Sequence, residues 1–421
     1  MIPALRLIFA ILLFLASLLA VFPEPTYNLW KLSIAVTEWG HVLALIALIP
    51  LLPGWSGSGL GRIGAAFSVV TMMLALSPLV RAIPIARALP ARLDIAFGCT
   101  ATGDGRVQSQ PAGNGNVTSP VGRGAGCEIS PRSGPDAPSR RAPIRGGDLF
   151  RGVRSPSVDV TTHVYVVRNG TPLGLDLYRA GDRSTAAAGG ATAAPVVVMI
   201  HGGSWRGGLR TDLAPLNRYL AARGFGVAAI SYRLAPDHPH PAASEDVSAA
   251  IAYLKTNAGK FGIDPSRMVL IGRSAGGQLA LLEAYRGNDP AIRGVVGFYA
   301  PSDQKYGYDH PSKPRVFDSR GVLEGFLGGT PATVPEAYAS SSPINYVGSH
   351  TIPTLLIHGT RDELIFPAQS QMLAERLAAA GRQHLYLEIP WGRHGCDFNF
   401  SGPCGQMSTY AIERFLAAVT R

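Results

Sequence analysis

Three long apolar stretches dominate the first part of the chain. They cover residues 5–22, 32–53 and 63–80, and the third of them carries no charged residue. A helix needs about 20 largely apolar residues to cross a bilayer, and in lipid a helix satisfies its own backbone hydrogen bonds. The pattern therefore predicts an anchor of about three transmembrane helices within residues 1–85.

Two details of this region are open to more than one interpretation. Taken alone, the stretch 5–22 also fits a signal peptide, but no small-residue cleavage site follows it and two more apolar stretches do. Glu38 stands in the first half of the second stretch, where its side chain is expected to reach lipid headgroups. A functional role for an ionisable group inside a membrane segment is the alternative.

Residues 86–158 are predicted to be a linker. From residue 95 onward they are rich in Gly, Ser, Pro and Arg and poor in apolar residues. A segment of this composition cannot bury enough apolar surface to fold on its own.

From residue 159 to residue 421 the chain reads as one folded domain. Residues 160–167 and 173–179 alternate apolar and polar positions and predict a β-hairpin through the turn Arg168–Thr171. Continuous apolar runs predict buried strands at 194–203, 225–233, 266–272, 292–300, 351–359 and 384–390. Helical spacing predicts helices at 213–224, at 244–262 with Ser244 as its N-cap, directly after Ser274, at 370–381 and at 408–421.

Strands that alternate with helices indicate a mostly parallel central sheet with helices on both faces. Residues 302–350 interrupt this alternation with little periodicity of their own, and such an insertion commonly shapes a substrate cleft. Its candidates for lining a cleft are Tyr306, Tyr308, Phe317 and Phe326, with ordinary loop packing as the alternative.

Four polar motifs follow the ends of predicted strands. They are HGGSW (201–205), GRSAG (272–276), HGTRD (358–362) and WGRHG (391–395). In open α/β sheets, active groups collect at the carboxyl ends of the strands. The order of a donor loop, then Ser, Asp and His is that of the α/β-hydrolase fold.

The three ionisable or nucleophilic residues in these motifs fit one catalytic mechanism. Ser274 is a poor nucleophile unless a base accepts its proton. His394 is the candidate base, because imidazole titrates near neutral pH. Asp362 is the candidate that would hold the imidazole in the correct tautomer.

Attack on a carbonyl group creates an oxyanion, which needs N–H donors. The candidate donors are the backbone amides of Gly202, Gly203, Ser204 and Ala275. Structural roles in the same motifs are expected for His201, Trp205, Gly272 and Gly276, the two glycines giving room for a tight turn at the serine.

Several alternatives stay open at this point. Glu363 and Asp397 are rivals of Asp362 as partner of His394, whereas His358 is expected to pack or to bond to the backbone. Trp205 either walls an acyl pocket or packs in the core. His238 and His240 look like a metal-binding pair, but no third ligand stands nearby, so we expect a structural role and no metal site.

Charge and cysteine content change this picture little. The net charge is +10, and residues 81–160 hold eleven arginines against six acidic residues. No nucleic-acid module is visible, so acidic lipid headgroups or water are the expected partners of this charge.

The four cysteines are Cys99, Cys127, Cys396 and Cys404. Pairing of sequence neighbours is expected only in an oxidising compartment, and free thiols are the alternative.

Basic residues near the apolar stretches predict an orientation. Lys31, Arg81, Arg87 and Arg92 fall on the side of the C-terminal domain, and Arg6 and Arg62 fall on the other side. The positive-inside rule then places the C-terminal domain in the cytoplasm.

Over residues 160–421 the chain resembles carboxylesterases of the hormone-sensitive-lipase and BD-FAE-like groups of α/β-hydrolases. The resemblance is carried by HGGSW, SYRLAP (231–236), DPSRMVLIGRSAGGQLA (264–280), HGTRDELI (358–365) and WGRHGCDFN (391–399). It implies a serine carboxylesterase or lipase that acts through an acyl-enzyme on small-molecule or lipid esters, with the triad Ser274, Asp362 and His394 and without metal or organic cofactor. The anchored architecture is similar to that of membrane-bound bacterial Lip-type esterases, which implies a multi-pass protein of the inner membrane.

Two positions depart from the hormone-sensitive-lipase pattern. Ser204 stands where those enzymes usually have a further glycine, and Arg273 stands where they usually have Asp. Arg273 either biases the site toward acidic substrates or points to solvent. Because HGG-x-W also resembles kynurenine formamidases, an arylformamidase- or peptidase-like amide hydrolase is the first alternative function, and a non-catalytic membrane scaffold is the second.

Overall fold

The computed structural model describes residues 2–98, 140–180 and 193–421. The strands in these ranges are β1 Val158–Arg168, β2 Thr171–Ala180, β3 Ala194–Ile200, β4 Gly226–Ile230, β5 Ile263–Arg273, β6 Ile292–Phe298, β7 Thr354–Gly359 and β8 His384–Ile389. The helices are α1 Ile2–Leu18, α2 Tyr27–Glu38, α3 Gly40–Ile46, α4 Gly59–Phe97, α5 Gly146–Arg151, α6 Ala214–Ala221, α7 Ala242–Thr256, α8 Ala258–Phe261, α9 Ala275–Arg286, α10 Gln304–Asp309, α11 Ser319–Leu327, α12 Pro335–Ser340, α13 Ala368–Ala379 and α14 Pro403–Val419.

The strands form one sheet in the order β1-β2-β4-β3-β5-β6-β7-β8. The pairs β1–β2 and β2–β4 are antiparallel, and the remaining neighbours are parallel. The predicted α/β-hydrolase architecture is thus confirmed. The predicted hairpin is confirmed too, since Asn169 and Gly170 both have the positive φ angles that a tight two-residue hairpin turn requires.

Two hydrophobic clusters cover the two faces of the sheet. Along β3, Val196, Val198 and Ile200 belong to one cluster, and Val197 and Met199 belong to the other. Successive strand residues point to opposite faces, so a continuous apolar run is what a strand with helices on both sides needs.

The helix predicted from Ser244 differs from the observed one at both ends. It begins at Ala242, just after Pro241, so the prediction of Ser244 as the N-cap is wrong. It also splits at Asn257, whose side chain donates to the Tyr253 carbonyl oxygen and ends α7 before the short helix α8. A side chain that competes for backbone hydrogen bonds interrupts a helix in this way.

The linker prediction is wrong for residues 86–97. Helix α4 continues to Phe97, and Leu89, Leu93 and Phe97 are buried in the cluster that α14 also lines. The centroids of the Phe97 and Phe415 rings lie 4.8 Å apart. The final turns of α4 are therefore part of the folded domain.

The far end of the predicted linker is also structured. Arg140 donates to the Gln406 side chain at 2.5 Å, and α5 follows within the same stretch. The central residues 99–139, with Cys99 and Cys127, lie outside the described residues.

The second apolar stretch, predicted as a single helix, is broken. Helices α2 and α3 are bent by 82° around Trp39. Gly40 explains part of this geometry, because a Cβ atom there would overlap the Ala75 carbonyl oxygen of α4. The bend lets α3 pack closely against α4.

Within the described residues, α4 is the helix long and apolar enough to cross a membrane. The bent pair α2–α3 adds a second candidate if it is counted as one broken span, and α1 is shorter. The bundle of three transmembrane helices therefore stays a prediction.

Candidate active site

The four polar motifs meet at the carboxyl ends of β3, β5, β7 and β8. Ser274 follows β5 directly and has φ 53° and ψ −122°. A non-glycine residue in this conformation is strained, and such strain clusters at functional sites. The turn presents the Ser274 hydroxyl at the start of α9.

Two glycines make this turn sterically feasible. A Cβ atom on Gly272 would overlap the Gly276 carbonyl oxygen, and one on Gly276 would overlap the carbonyl oxygens of Ile200 and His201. The backbone of the turn therefore packs directly against the end of β3, as expected from the GRSAG pattern.

A chain of hydrogen bonds links the three residues expected to form a triad. His394 Nε2 lies 2.9 Å from Ser274 Oγ, and His394 Nδ1 lies 2.7 Å from Asp362 Oδ2. Because a carboxylate only accepts, Nδ1 carries the proton and Nε2 is free to accept the serine proton. This is the arrangement that general-base activation of a serine requires.

The Asp362 carboxylate is fully buried and surrounded by donors. Its Oδ1 accepts from the backbone amides of Leu364 and Ile365, both at 2.9 Å. Burial by itself would raise the pKa of Asp362, but the charge of His394 and hydrogen bonds from His358 and His394 hold that pKa well below its ordinary value. The carboxylate is therefore ionised at neutral pH.

His358 supports this carboxylate. Its Nε2 lies 3.1 Å from Asp362 Oδ2 and 2.9 Å from the Ile365 carbonyl oxygen, so Nε2 must be the donor. Its Nδ1 then accepts from Ser370 Oγ at 2.7 Å. The backbone bond expected for His358 is confirmed by its contact with the Ile365 carbonyl oxygen. Its contact with Asp362 could not be predicted, because β7 ends between the two residues and the turn that follows sets their distance.

Three of the four expected oxyanion donors, Gly202, Ser204 and Ala275, lie beside Ser274. Ala275 is the first residue of α9, so its N–H has no acceptor within the helix. Gly202 packs against the Ser274 side chain, and Ser204 lines the same cavity as Ser274 and His394. The loop reaches this position through positive φ angles at Gly203 and Ser204.

The rival partners of His394 are engaged elsewhere. Glu363 Oε2 lies 3.6 Å from Lys313 Nζ. Asp397 Oδ2 accepts from Arg273 Nε at 2.5 Å, and its Oδ1 accepts from the Tyr299 hydroxyl at 2.6 Å. Among the described carboxylates, Asp362 is the one that contacts the imidazole.

Both expectations for Arg273, an acidic-substrate contact or solvent exposure, are wrong. The side chain is buried, pairs with Asp397 and lies over the Phe298 ring. Burial is the largest single influence on the pKa of Arg273 and would lower it, but the interactions with Asp397 and Tyr299 together outweigh burial and raise that pKa. The Tyr299 ring of this network lies 4.5 Å from the His394 ring, so Arg273 is linked to His394 through Asp397 and Tyr299.

An apolar cleft opens onto Ser274 and His394. Two of the four aromatic candidates, Tyr306 and Phe317, line it. Tyr308 instead donates to Glu324, and Phe326 stacks under Trp205. The cleft-lining residues include Trp205, Tyr306, Phe317, Val322, Leu323, Leu364, Ile365 and Phe366.

The remaining motif residues have mainly structural contacts. Trp205 both lines the cleft and donates from its indole N–H to Gln278 at 2.9 Å. His201 stacks on Tyr232, and burial lowers the pKa of His201.

His240 of the PDHPH segment has structural partners. His240 contacts Ser340 and the Phe326 ring, and burial lowers the pKa of His240 to about 4. Within the described residues, no cluster of three or more His, Cys, Asp or Glu side chains could hold a metal ion.

Comparisons with known proteins agree with this geometry. Residues 184–377 match the BD-FAE family model. The chain is 35% identical over 265 residues to esterase LipC of Mycobacterium tuberculosis, covering 59% of this chain and 62% of LipC. It is 31% identical over 237 residues to esterase LipQ of the same species, covering 54% and 56%.

A solved structure shows the same fold. Esterase LipW of Mycobacterium marinum is 25% identical, with a TM-score of 0.50 over 62% of this chain and 81% of LipW. The chain spans less than two thirds of the length of the curated relatives LipC and LipQ. Residues 158–421 thus have the α/β-hydrolase fold, and the chain is similar to carboxylesterases of the BD-FAE and Lip-type groups.

Proposed function

We propose that the protein is a serine carboxylesterase that hydrolyses carboxylic esters through an acyl-enzyme on Ser274. The observation that carries the proposal is the chain of hydrogen bonds from Ser274 through His394 to Asp362 at the base of an apolar cleft. Esterase relatives over the same residues support the same reaction class.

The reaction needs two acyl transfers. Ser274 Oγ attacks the ester carbonyl carbon while His394 Nε2 takes the hydroxyl proton, and the backbone amides of Ala275 and the 202–204 loop stabilise the oxyanion. The imidazolium then protonates the leaving alcohol, and the acyl group stays on Ser274. Water, activated by the same imidazole, attacks the acyl-enzyme and releases the acid.

The cleft favours esters with an apolar acyl group. Its lining is largely aliphatic and aromatic, and Arg273 is engaged with Asp397. A small-molecule ester or a lipid ester fits such a lining better than an acidic substrate.

We also propose that the N-terminal helices anchor the protein in a membrane. Large apolar side chains on these helices face outward, among them Leu12, Met73 and Val80, which are 60%, 67% and 63% exposed. An apolar surface of this extent is unfavourable in water and favourable in lipid.

Two features of the protein predict opposite sides of the membrane for the hydrolase domain. Charge distribution predicts a cytoplasmic domain, by four basic residues against two. Cys396 and Cys404 form a disulfide, and disulfides persist in oxidising compartments. Because the cytoplasm keeps thiols reduced, we infer that the domain lies on the oxidising side of the membrane.

Replacing Ser274 with Ala should abolish esterase activity. Loss of the nucleophile is expected to lower kcat for a p-nitrophenyl ester by about 10⁴-fold or more. Ser266→Ala, at the exposed opposite end of β5, is the matched control and should stay within about twofold of the wild-type rate. Equal rates in wild type and Ser274→Ala would contradict the proposal.

Two neighbouring isosteric changes test which carboxylate supports His394. Asp362→Asn is expected to lower kcat by about 10⁴-fold, because it removes the acceptor for the Nδ1 proton. Glu363→Gln, one residue later, should leave kcat within about twofold. A larger loss in Glu363→Gln than in Asp362→Asn would show that the orienting residue is misassigned.

Substrate comparison separates the ester reaction from its alternatives. We expect p-nitrophenyl esters to be turned over with a higher kcat/KM than N-formyl or peptide amides of the same acyl size. Faster amide turnover would favour the amide hydrolase, and failure of a fluorophosphonate to label Ser274 would favour the non-catalytic scaffold.

Fractionation tests the anchor. The full-length protein should sediment with membranes, remain there in alkaline carbonate, and be released by detergent, because its apolar helices lie in the lipid. Recovery in the carbonate supernatant would contradict the anchor.

Thiol labelling tests the orientation. In a Cys99→Ser, Cys127→Ser chain alkylated at lysis, Cys396 and Cys404 should react only after reduction, and a C-terminal alkaline phosphatase fusion should be active. Reactive thiols before reduction together with an inactive fusion would place the domain in the cytoplasm.

A further inference from the structure

The residue before the proposed catalytic base, Arg393, is held by the N-terminal part of the chain. Arg393 is 1% exposed. Its Nη1 lies 2.8 Å and 2.6 Å from the two Glu24 carboxylate oxygens. Its Nη2 donates to the carbonyl oxygens of Leu19 and Phe22, at 2.7 Å and 2.9 Å. These partners all lie in the turn between α1 and α2.

A second contact comes from the end of α2. The two carboxylate oxygens of Glu38 accept from the Trp391 indole N–H at 3.1 Å and from the Cys404 backbone N–H at 3.2 Å. The Glu38 carbonyl oxygen accepts from the Asn399 side chain at 3.1 Å. Glu38 thus bonds to both ends of the loop 391–404, which carries His394, instead of reaching headgroups as its position in the sequence predicts.

The loop that carries Asp362 is contacted as well. Arg361 Nη1 donates to the carbonyl oxygens of Ala20 and Val21, with the Ala20 oxygen at 3.3 Å. The same segment, residues 19–38, therefore contacts the residue before Asp362 and the residue before His394.

We infer that segment 19–38 positions the catalytic loops, with Glu24 acting through Arg393 and Glu38 acting through Trp391. A buried guanidinium without its carboxylate must draw in water or move. Movement of Arg393 displaces His394, and about 1 Å of misplacement costs on the order of a hundredfold in rate. The proposed anchor is then a structural part of the active site as well as a tether.

The opposite side of the same loop is fixed within the hydrolase domain. Asp397 binds Arg273 and Tyr299 there, so the fold of the loop does not rest on the N-terminal segment alone. Loss of the Glu24 contact is accordingly expected to shift His394 and leave the domain folded.

The inference rests on the proposed function, and kinetics of the full-length protein in detergent test it. Glu24→Gln and Arg393→Met are each expected to lower kcat for a p-nitrophenyl ester by about tenfold to a hundredfold, with KM within about twofold. The double variant should lose no more than the worse single variant, because both changes break one interaction. Glu375→Gln, an exposed glutamate on α13, is the matched control and should retain the wild-type kcat.

Hydrogen–deuterium exchange gives a readout that does not depend on turnover. In a Ser274→Ala background, Glu24→Gln should speed exchange of residues 391–404 and leave exchange in β3 and β5 unchanged. If Glu24→Gln does not accumulate, Glu38→Gln is tested in its place. It is also expected to speed exchange of residues 391–404 and leave β3 and β5 unchanged.

Unchanged kcat together with unchanged exchange in a folded variant would overturn the inference, as would additive losses in the double variant. Failure of the proposed function has a different signature: wild type and Ser274→Ala would then have equal rates, whereas the exchange of residues 391–404 would still respond to Glu24→Gln.

Discussion

The carboxylate of Asp362 is a negative charge buried where water cannot solvate it, and the site around it is arranged to satisfy that charge. Two backbone amides occupy one oxygen, and the imidazoles of His358 and His394 approach the other. A buried charge is tolerated only with such partners. The same hydrogen bond that satisfies Asp362 fixes the tautomer of His394, which leaves Nε2 facing Ser274.

The requirement to pair buried charges extends around the loop that carries His394. On one side Asp397 joins Arg273 and Tyr299, and on the other Glu24 joins Arg393. The contacts of Asp397 link the loop to β5 and to the residue after β6, and the contact of Arg393 links it to the turn after α1. The position of the imidazole therefore depends on contacts with both the hydrolase sheet and the N-terminal segment.

Much of the sheet could be predicted because its signals are local. The apolar runs, the Asn169–Gly170 turn and the polar motifs after β3, β5, β7 and β8 are each visible within a dozen residues. The sequence order of the motifs then indicated that Ser274, Asp362 and His394 come together.

Other features depend on partners far along the chain. The Arg393–Glu24 pair joins residues 369 positions apart, and the roles of Arg273 and Glu38 likewise require knowing what packs against them. The bend at Trp39 depends on packing of α3 against α4. The continuation of α4 to Phe97 depends on packing against α14. Composition reveals neither contact. Residues 86–97 lie beyond the third apolar stretch, and their apolar side chains Leu89, Leu93 and Phe97 find their partners only in the fold.

Pre-steady-state hydrolysis of a p-nitrophenyl ester, followed by peptide mapping of acid-quenched full-length protein, tests the central claim most directly. A serine mechanism predicts a burst that approaches one p-nitrophenol per chain, where deacylation is the slower step, with the acyl group recovered on the peptide that contains Ser274. A burst with no acyl group on the Ser274 peptide, or an adduct on another residue, would contradict Ser274 as the nucleophile.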